Sequence, residues 1–239
     1  MKHIVKDSEP QEFITWKEQN NEGILRKLQA GVDTDTIWNL LPSKPPRPET
    51  EVESSSFTKE ALRQVLLAEQ GYLCCYCNRP LQNDHTTTLE HFLPKDRGKY
   101  PHLVFAYENL LACCDGGERD KSKPRETHCD AKKGNNDPTS PISIVSPLEE
   151  RCEDFFEFDE MGNISAVGDG EQAVATIKFL GLDARALNTL RGRYINEYIL
   201  EIWADNMDTA AEITSLRQKV NGKYFPFFTA IISVLRNYP

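Results

Sequence analysis

The sequence has no long apolar run, no secretory leader and no internal repeat. Nothing in its 239 residues approaches the roughly 20 consecutive apolar positions that span a bilayer. The opening MKHIVKDSEP has a charged start but neither an apolar h-region nor a small-residue cleavage site. No export and no membrane partner are therefore expected, and the expected location is cytoplasmic. Net positive charge is also missing: 28 Lys and Arg stand against 37 Asp and Glu, a formal balance of −9. That balance argues against a chain that coats nucleic acid, but its distribution is uneven. Residues 1–70 carry 9 basic and 12 acidic side chains, residues 71–136 carry 10 and 9, and residues 137–239 carry 9 and 16. Phosphate contact depends on the local field, so acidic flanks leave the middle segment open to it. The flanks then suit a partner protein, or a restraint on non-specific DNA binding.

What is present is ordinary for a soluble globular protein, with 39% hydrophobic and 27% charged residues. The seven cysteines are the exception. In a chain with no export signal a disulfide framework is not expected, and clustered cysteines more often hold metal.

The first 41 residues read as short helices: Pro10 can open one with Phe13 and Trp16 on one face, and Ile24, Leu25 and Leu28 mark another. PSKPPRPETEVESSS, residues 42–56, has four prolines and three consecutive serines and reads as a linker or surface strap. A helix follows, capped by Ser56 or Thr58, carrying Ala61, Leu62, Val65, Leu66 and Glu69 at helical spacing, and closed by Gly71. It leads directly into Cys74-Cys75-Tyr76-Cys77. TTTLEHF (86–92) and the run Asn109 to Cys113 are short and β-prone, and a helix begins near Asp130, giving a ββα unit ended by Gly134 and Pro138. Residues 154–158 and 164–166, around Asp159-Glu160-Met161-Gly162-Asn163, read as a hairpin. Helical spacing then covers roughly 170–180, 184–204, 207–220 and 225–237.

Cys74-x-x-Cys77 is a knuckle whose two thiolates can converge on one zinc ion. Closing a tetrahedral site needs a second pair, drawn from Cys113, Cys114, Cys129 and His128. Cys75, Cys113 and Cys152 are more simply read as buried thiols. A closed four-cysteine site is structural, so chemistry has to come from what lies between its halves. There stand Glu90-His91, Pro94 and Asn109, with Asp130 and Lys133 just after Cys129. Phosphodiester hydrolysis needs a base for water, a role that suits His91, and a divalent cation, for which the hard oxygens of Glu90 and Asp130 suit magnesium or manganese. On a strand Glu90 and His91 point to opposite faces, so both serve one site only if the strand ends or bends there.

The order Cys74-x-x-Cys77, Leu89-Glu90-His91-Phe92-Leu93-Pro94, Asn109-Leu110, Cys114, Cys129-Asp130-Ala131-Lys132-Lys133-Gly134 resembles the zinc-containing HNH, or ββα-metal, endonucleases. The resemblance implies His91 as general base, Glu90 and Asp130 as holders of the catalytic metal, and Asn109 as the tether of the loop between the strands. It also favours Cys114, five residues after Asn109, over Cys113, and completes the structural zinc site with Cys129. The expected fold is α+β: a zinc-stapled ββα-metal (HNH) module over residues 57–140, between an N-terminal helical and strap region (1–56) and a hairpin plus helical region (141–239).

The opening segment, the stretch from Lys59 to Gly71, and Ser146-Pro147-Leu148-Glu149-Glu150 with Phe156-Glu157-Phe158-Asp159 are similar to one subfamily. This is the HNH effector subunit, often called PtuB, of Septu and related retron antiphage systems. That likeness implies an ABC/SMC-like ATPase partner (PtuA-like), a nucleic-acid substrate, DNA above all, and for retrons a reverse transcriptase with its RNA–DNA product. Two features depart from the family pattern: 14 residues, Asp115 to His128, stand between the last two cysteines, and the third catalytic position is Asp130. The insertion carries Arg119, Lys121, Lys123 and Arg125, which with Lys132 and Lys133 are candidates for gripping nucleic acid. Two other readings remain. One is a non-catalytic zinc adaptor; the other is a redox protein built on Cys74-x-x-Cys77, which a knuckle following a helix disfavours.

Overall fold

The structure, a computed structural model, describes residues 1–44, 57–95, 99–117, 126–204 and 208–237. The chain opens with α1 (Gln11–Gln29) and α2 (Thr34–Trp38), then α3 (Lys59–Gln70). Strands β1 (Thr87–His91) and β2 (Leu110–Cys114) form an antiparallel pair, followed by the short α4 (Cys129–Lys133). A second pair, β3 (Phe156–Phe158) and β4 (Ile164–Ala166), precedes α5 (Glu171–Leu180), α6 (Arg185–Ala204), α7 (Thr209–Leu216) and α8 (Phe228–Leu235). The mixture of helix with two small sheets and a cysteine cluster is compatible with an HNH module. Among the described residues no helix is long and apolar enough to cross a membrane.

Where short helices were expected before residue 41, α2 is short but α1 is one continuous helix of 19 residues. Nothing between Trp16 and Ile24 breaks it, and Phe13, Trp16 and Ile24 fall on one buried stripe. Leu25 is turned to solvent. The strap expected over 42–56 lies, beyond residue 44, outside the described residues.

α3 matches its sequence signals. The Thr58 hydroxyl accepts from the Ala61 amide at 3.1 Å, and Gly71 closes the helix in the left-handed region at φ 64°. Its inward face buries Leu62, Leu66 and Leu67, each stabilising the fold by about 1.5–3 kcal/mol. The polar residues at its end do structural work as well. Gln70 donates to the Leu73 and Ala112 carbonyls and accepts from the Ala112 amide, satisfying the outer edge of β2. Glu69 pairs with Lys6 at 2.6 Å and accepts from the Tyr107 hydroxyl, tying the first residues of the chain to the same sheet.

The first and last segments both close on this centre. An aromatic file runs from α1 and α2 towards β1: Trp16 meets Phe105 at 5.0 Å, Phe105 meets Trp38 at 5.5 Å, and Trp38 meets the His91 ring at 4.7 Å. From the other end, the Phe227 amide and the Thr229 hydroxyl donate to the backbone and side-chain oxygens of Asn78, just after the first cysteine knuckle. Tyr194 packs on Phe227 and Tyr224 on Phe228, so the two phenylalanines are core and the two tyrosines lie half-buried against it.

A β-carbon at Gly71 would stand 2.3 Å from the Tyr224 ring. Gly71→Ala therefore adds a clash to a strained backbone conformation. Its urea unfolding midpoint should show a loss of about 1–3 kcal/mol.

Candidate active site and metal centre

Four cysteines from three separate segments meet at one point. Cys74 and Cys77 come from the turn after α3, Cys114 ends β2, and Cys129 opens α4; all four are buried, with sulfurs within 4.8 Å of one another. The Cys74–Cys114, Cys74–Cys129 and Cys77–Cys114 sulfur separations are 3.6, 3.9 and 3.9 Å. Thiolates at the corners of a tetrahedron around zinc, each ~2.3 Å from the ion, stand about 3.8 Å apart. The donor set fits.

The surroundings fit an anionic cluster too. Arg191 is buried and has no carboxylate ion pair among the described residues; it donates to the Gly162 and Leu182 carbonyls and to Asn188. Burial lowers its pKa to about 10, and the neighbouring charges that oppose this are chiefly Cys77 and Cys129. With Asp159 the third such group, this guanidinium is placed to favour thiolate over thiol at those sulfurs, the form that a bound metal takes. Cys129 itself sits at φ 52°, a conformation a non-glycine residue keeps only when its surroundings demand it.

The alternative ligands lie close by. Cys113, on the opposite face of β2 from Cys114, has its sulfur 3.6 Å from Cys74 and groups with Cys74 and Cys75. His128 Nδ1 is 3.2 Å from the Cys129 sulfur. Cys152 is buried elsewhere, and burial pushes its thiol up to about 12.

Beside the cluster, Glu90, His91, Pro94, Lys95, Asp130 and Lys133 line a polar cavity of about 180 Å³. Larger clefts exist, one of about 330 Å³ lined by His3, Asp7, Glu69 and Glu153, but there Glu69 is taken up by Lys6, the Asp7 amide and Tyr107. The face problem posed by the adjacent Glu90 and His91 is solved as the sequence required: β1 ends at His91 and the chain bends. Asn109 fixes that bend. Its side chain accepts from the Leu93 amide at 2.8 Å and donates to the Leu93 carbonyl at 2.9 Å, while its own carbonyl accepts from Phe92.

His91 is buried, and its Nε2 lies 3.0 Å from the Val104 carbonyl oxygen. A carbonyl only accepts, so Nε2 carries hydrogen and Nδ1 keeps its lone pair. Burial lowers the ring's pKa to about 4, which keeps it neutral. Glu90 is buried beside it. One oxygen, Oε1, accepts from the Tyr76 hydroxyl at 2.9 Å and pairs with Lys133 at 2.8 Å. Burial holds this carboxyl above the ordinary range; Lys133 opposes that, and the Asp130 carboxyl within hydrogen-bond reach adds to it. Two carboxyls facing each other are the donors a hard divalent cation takes. His91 does not join them in a three-ligand group.

The basic candidates are placed differently from one another. Lys132 is exposed and lines a separate cleft with Lys178. Lys133, expected to grip nucleic acid, is 1% exposed and spends its charge on Glu90 and the His91 carbonyl. Arg119, Lys121, Lys123 and Arg125 lie outside the described residues. Sequence reasoning missed Tyr76, although it sits inside the knuckle, and Lys95, although it follows Pro94. Nothing in the sequence marks the Val104 carbonyl.

No protein-family model matches the chain. It is 30% identical over 156 residues to the candidate HNH endonuclease of retron Vc95 from Vibrio cholerae serotype O1 biovar El Tor, covering 62% of this chain and 71% of that one. It is 28% identical over 179 residues to the candidate HNH endonuclease of retron Ec83 from Escherichia coli, covering 67% of this chain and 60% of the relative. With that identity across more than two thirds of the Vibrio protein, the chain belongs to the retron-type HNH endonuclease family.

Proposed function

We propose that the chain is a metal-dependent endonuclease that hydrolyses phosphodiester bonds of nucleic acid, DNA in particular, in antiphage defence. One observation carries this reading: a buried, neutral His91, locked through Nε2 on the Val104 carbonyl, lines the same cavity as Glu90 and Asp130. Its free Nδ1 takes a proton from water while the water oxygen attacks phosphorus and the bond to the leaving oxygen breaks. Glu90 and Asp130 would hold magnesium or manganese, which when bound supplies positive charge to the phosphate and the leaving oxygen. Tyr76 and Lys133 both engage Glu90 Oε1 and so fix the carboxyl beside Asp130. Asn109 keeps Leu93, and the loop behind it, in register.

In this reading the Cys74, Cys77, Cys114 and Cys129 zinc site is a staple. Residues 57–140 are the catalytic module, while 1–56 and 141–239 support it and dock a partner. The partner is an ABC/SMC-like ATPase of the PtuA kind, as in Septu systems, together with a retron reverse transcriptase and its RNA–DNA product. The names of the two relatives support the retron setting.

His91→Ala should lower magnesium-dependent DNA cleavage by on the order of 10²- to 10⁴-fold, with zinc content unchanged, when assayed with the ATPase partner. Cleavage equal to wild type would remove His91 from the mechanism and favour a zinc adaptor. Elemental analysis should find about one zinc per chain, and Cys77→Ser should lose that zinc together with most of the thermal stability.

A third expectation concerns acid. Because the folded ring titrates near 4 rather than the ordinary 6.5, the unfolded chain binds this proton more readily. The contribution of His91 to stability is complete above about 6.5 and declines as pH falls towards 4. Urea unfolding of wild type and His91→Gln should therefore converge across that window, with the variant declining less.

A further inference from the structure

A scissile phosphate entering this cavity needs a cation from the protein, and Lys133 is not available for it: it is buried and engaged by Glu90. Lys95 is placed otherwise. It follows Pro94 in the loop that Asn109 clamps through Leu93, and it lines the same cavity as Glu90, His91 and Asp130. Its ammonium reaches the rim, where it meets Asp35 of α2 at 2.6 Å. The Asp35 side chain is 66% exposed and that of Lys95 16%. The carboxylate thus stands on the solvent side of the ammonium, the side from which a nucleic-acid backbone arrives.

Helix α2 is held over the cavity by a second contact, the edge of the Trp38 ring against His91 at 4.7 Å. Lys59 adds to the same rim. It donates to Asn39 at 2.7 Å, lies 5.0 Å from the Trp38 ring centre, and feels both Lys95 and Asp35. Two cations around one carboxylate leave a net positive edge once that carboxylate is displaced. The pair can exchange because its carboxylate half is exposed, where solvent screening weakens the attraction. A phosphodiester, with one negative charge and two free oxygens, presents the same chemistry to an ammonium as the Asp35 carboxylate does.

We propose that Lys95 is a phosphate-contact residue of the catalytic cavity and that Asp35 occupies its ammonium until a nucleic-acid backbone displaces it. Helix α2 is then a charge-operated cover over His91. The inference rests on the nuclease reading for the meaning of the cavity, but its test needs no cleavage.

Binding of a fluorescein-labelled DNA duplex of roughly 20 base pairs, followed by anisotropy without added magnesium or manganese, measures it at several salt concentrations. Lys95→Gln should weaken binding and lower the slope of log affinity against log salt by about one, whereas Lys95→Arg should keep both near wild type. Asp35→Asn should tighten binding about two- to fivefold. In the double variant that gain should vanish, because the cation it releases is gone. An undiminished gain in the double variant, or a Lys95→Gln protein with wild-type affinity and salt slope, overturns the proposal. If the coupling is found and no nucleic acid is ever cleaved, the cover stands and the nuclease reading falls. If His91→Ala abolishes cleavage and the coupling is absent, the reverse holds.

Discussion

The structure depends on one constraint, the convergence of four cysteine sulfurs drawn from the turn after α3, the end of β2 and the start of α4. Neither two-stranded sheet here is large enough to be stable alone, and a five-residue helix has no independent stability. What fixes α4 against the β1–β2 pair is the sharing of a single point in space by residues 74, 77, 114 and 129. Everything chemical is then referenced to that point. Tyr76, trapped between the first two ligands, reaches Glu90; Lys133, one turn beyond the last ligand, reaches the same oxygen. The cysteine cluster and the cavity are joined through these neighbouring residues and cannot be varied independently.

Charge is handled by the same arrangement. A deep cluster of sulfurs, a buried glutamate and a buried arginine would each be costly alone. In place of that isolation, Arg191 lies near Cys77, Cys129 and Asp159, and Lys133 lies against Glu90. A formal charge of −9 over the whole chain thus coexists with a cavity lined by two lysines. The cations that matter are few and placed individually, and bulk charge says little about them.

Much of this was legible in the sequence because the strongest signals are local. Thr58 and Gly71 bracket α3 by capping chemistry alone, and the hairpin around Gly162 follows from its turn residues. The Glu90-His91 adjacency was readable as a strand that must end, and it does. The continuous α1 was missed because polar residues between Trp16 and Ile24 hid a single stripe. Lys133 resembled a surface cation, since a Lys-Lys-Gly ending to a short helix carries no sign of which lysine points inward. The contacts of His91 with Val104 and Trp38 involve a backbone oxygen and a distant aromatic ring, and neither leaves a pattern along the chain.

The hold of Asn78 on the last helix has a consequence for how the protein is made. Thr229 grips that asparagine across 151 positions of sequence, and the Phe227 amide binds the same residue's carbonyl. A ribosome releases the cysteines and the histidine long before it releases these anchors. The first knuckle therefore reaches this support only after the 151 positions that separate Thr229 from Asn78 have been made. Until then a growing chain carries the residues of the cavity without the brace that Thr229 and Phe227 place on Asn78.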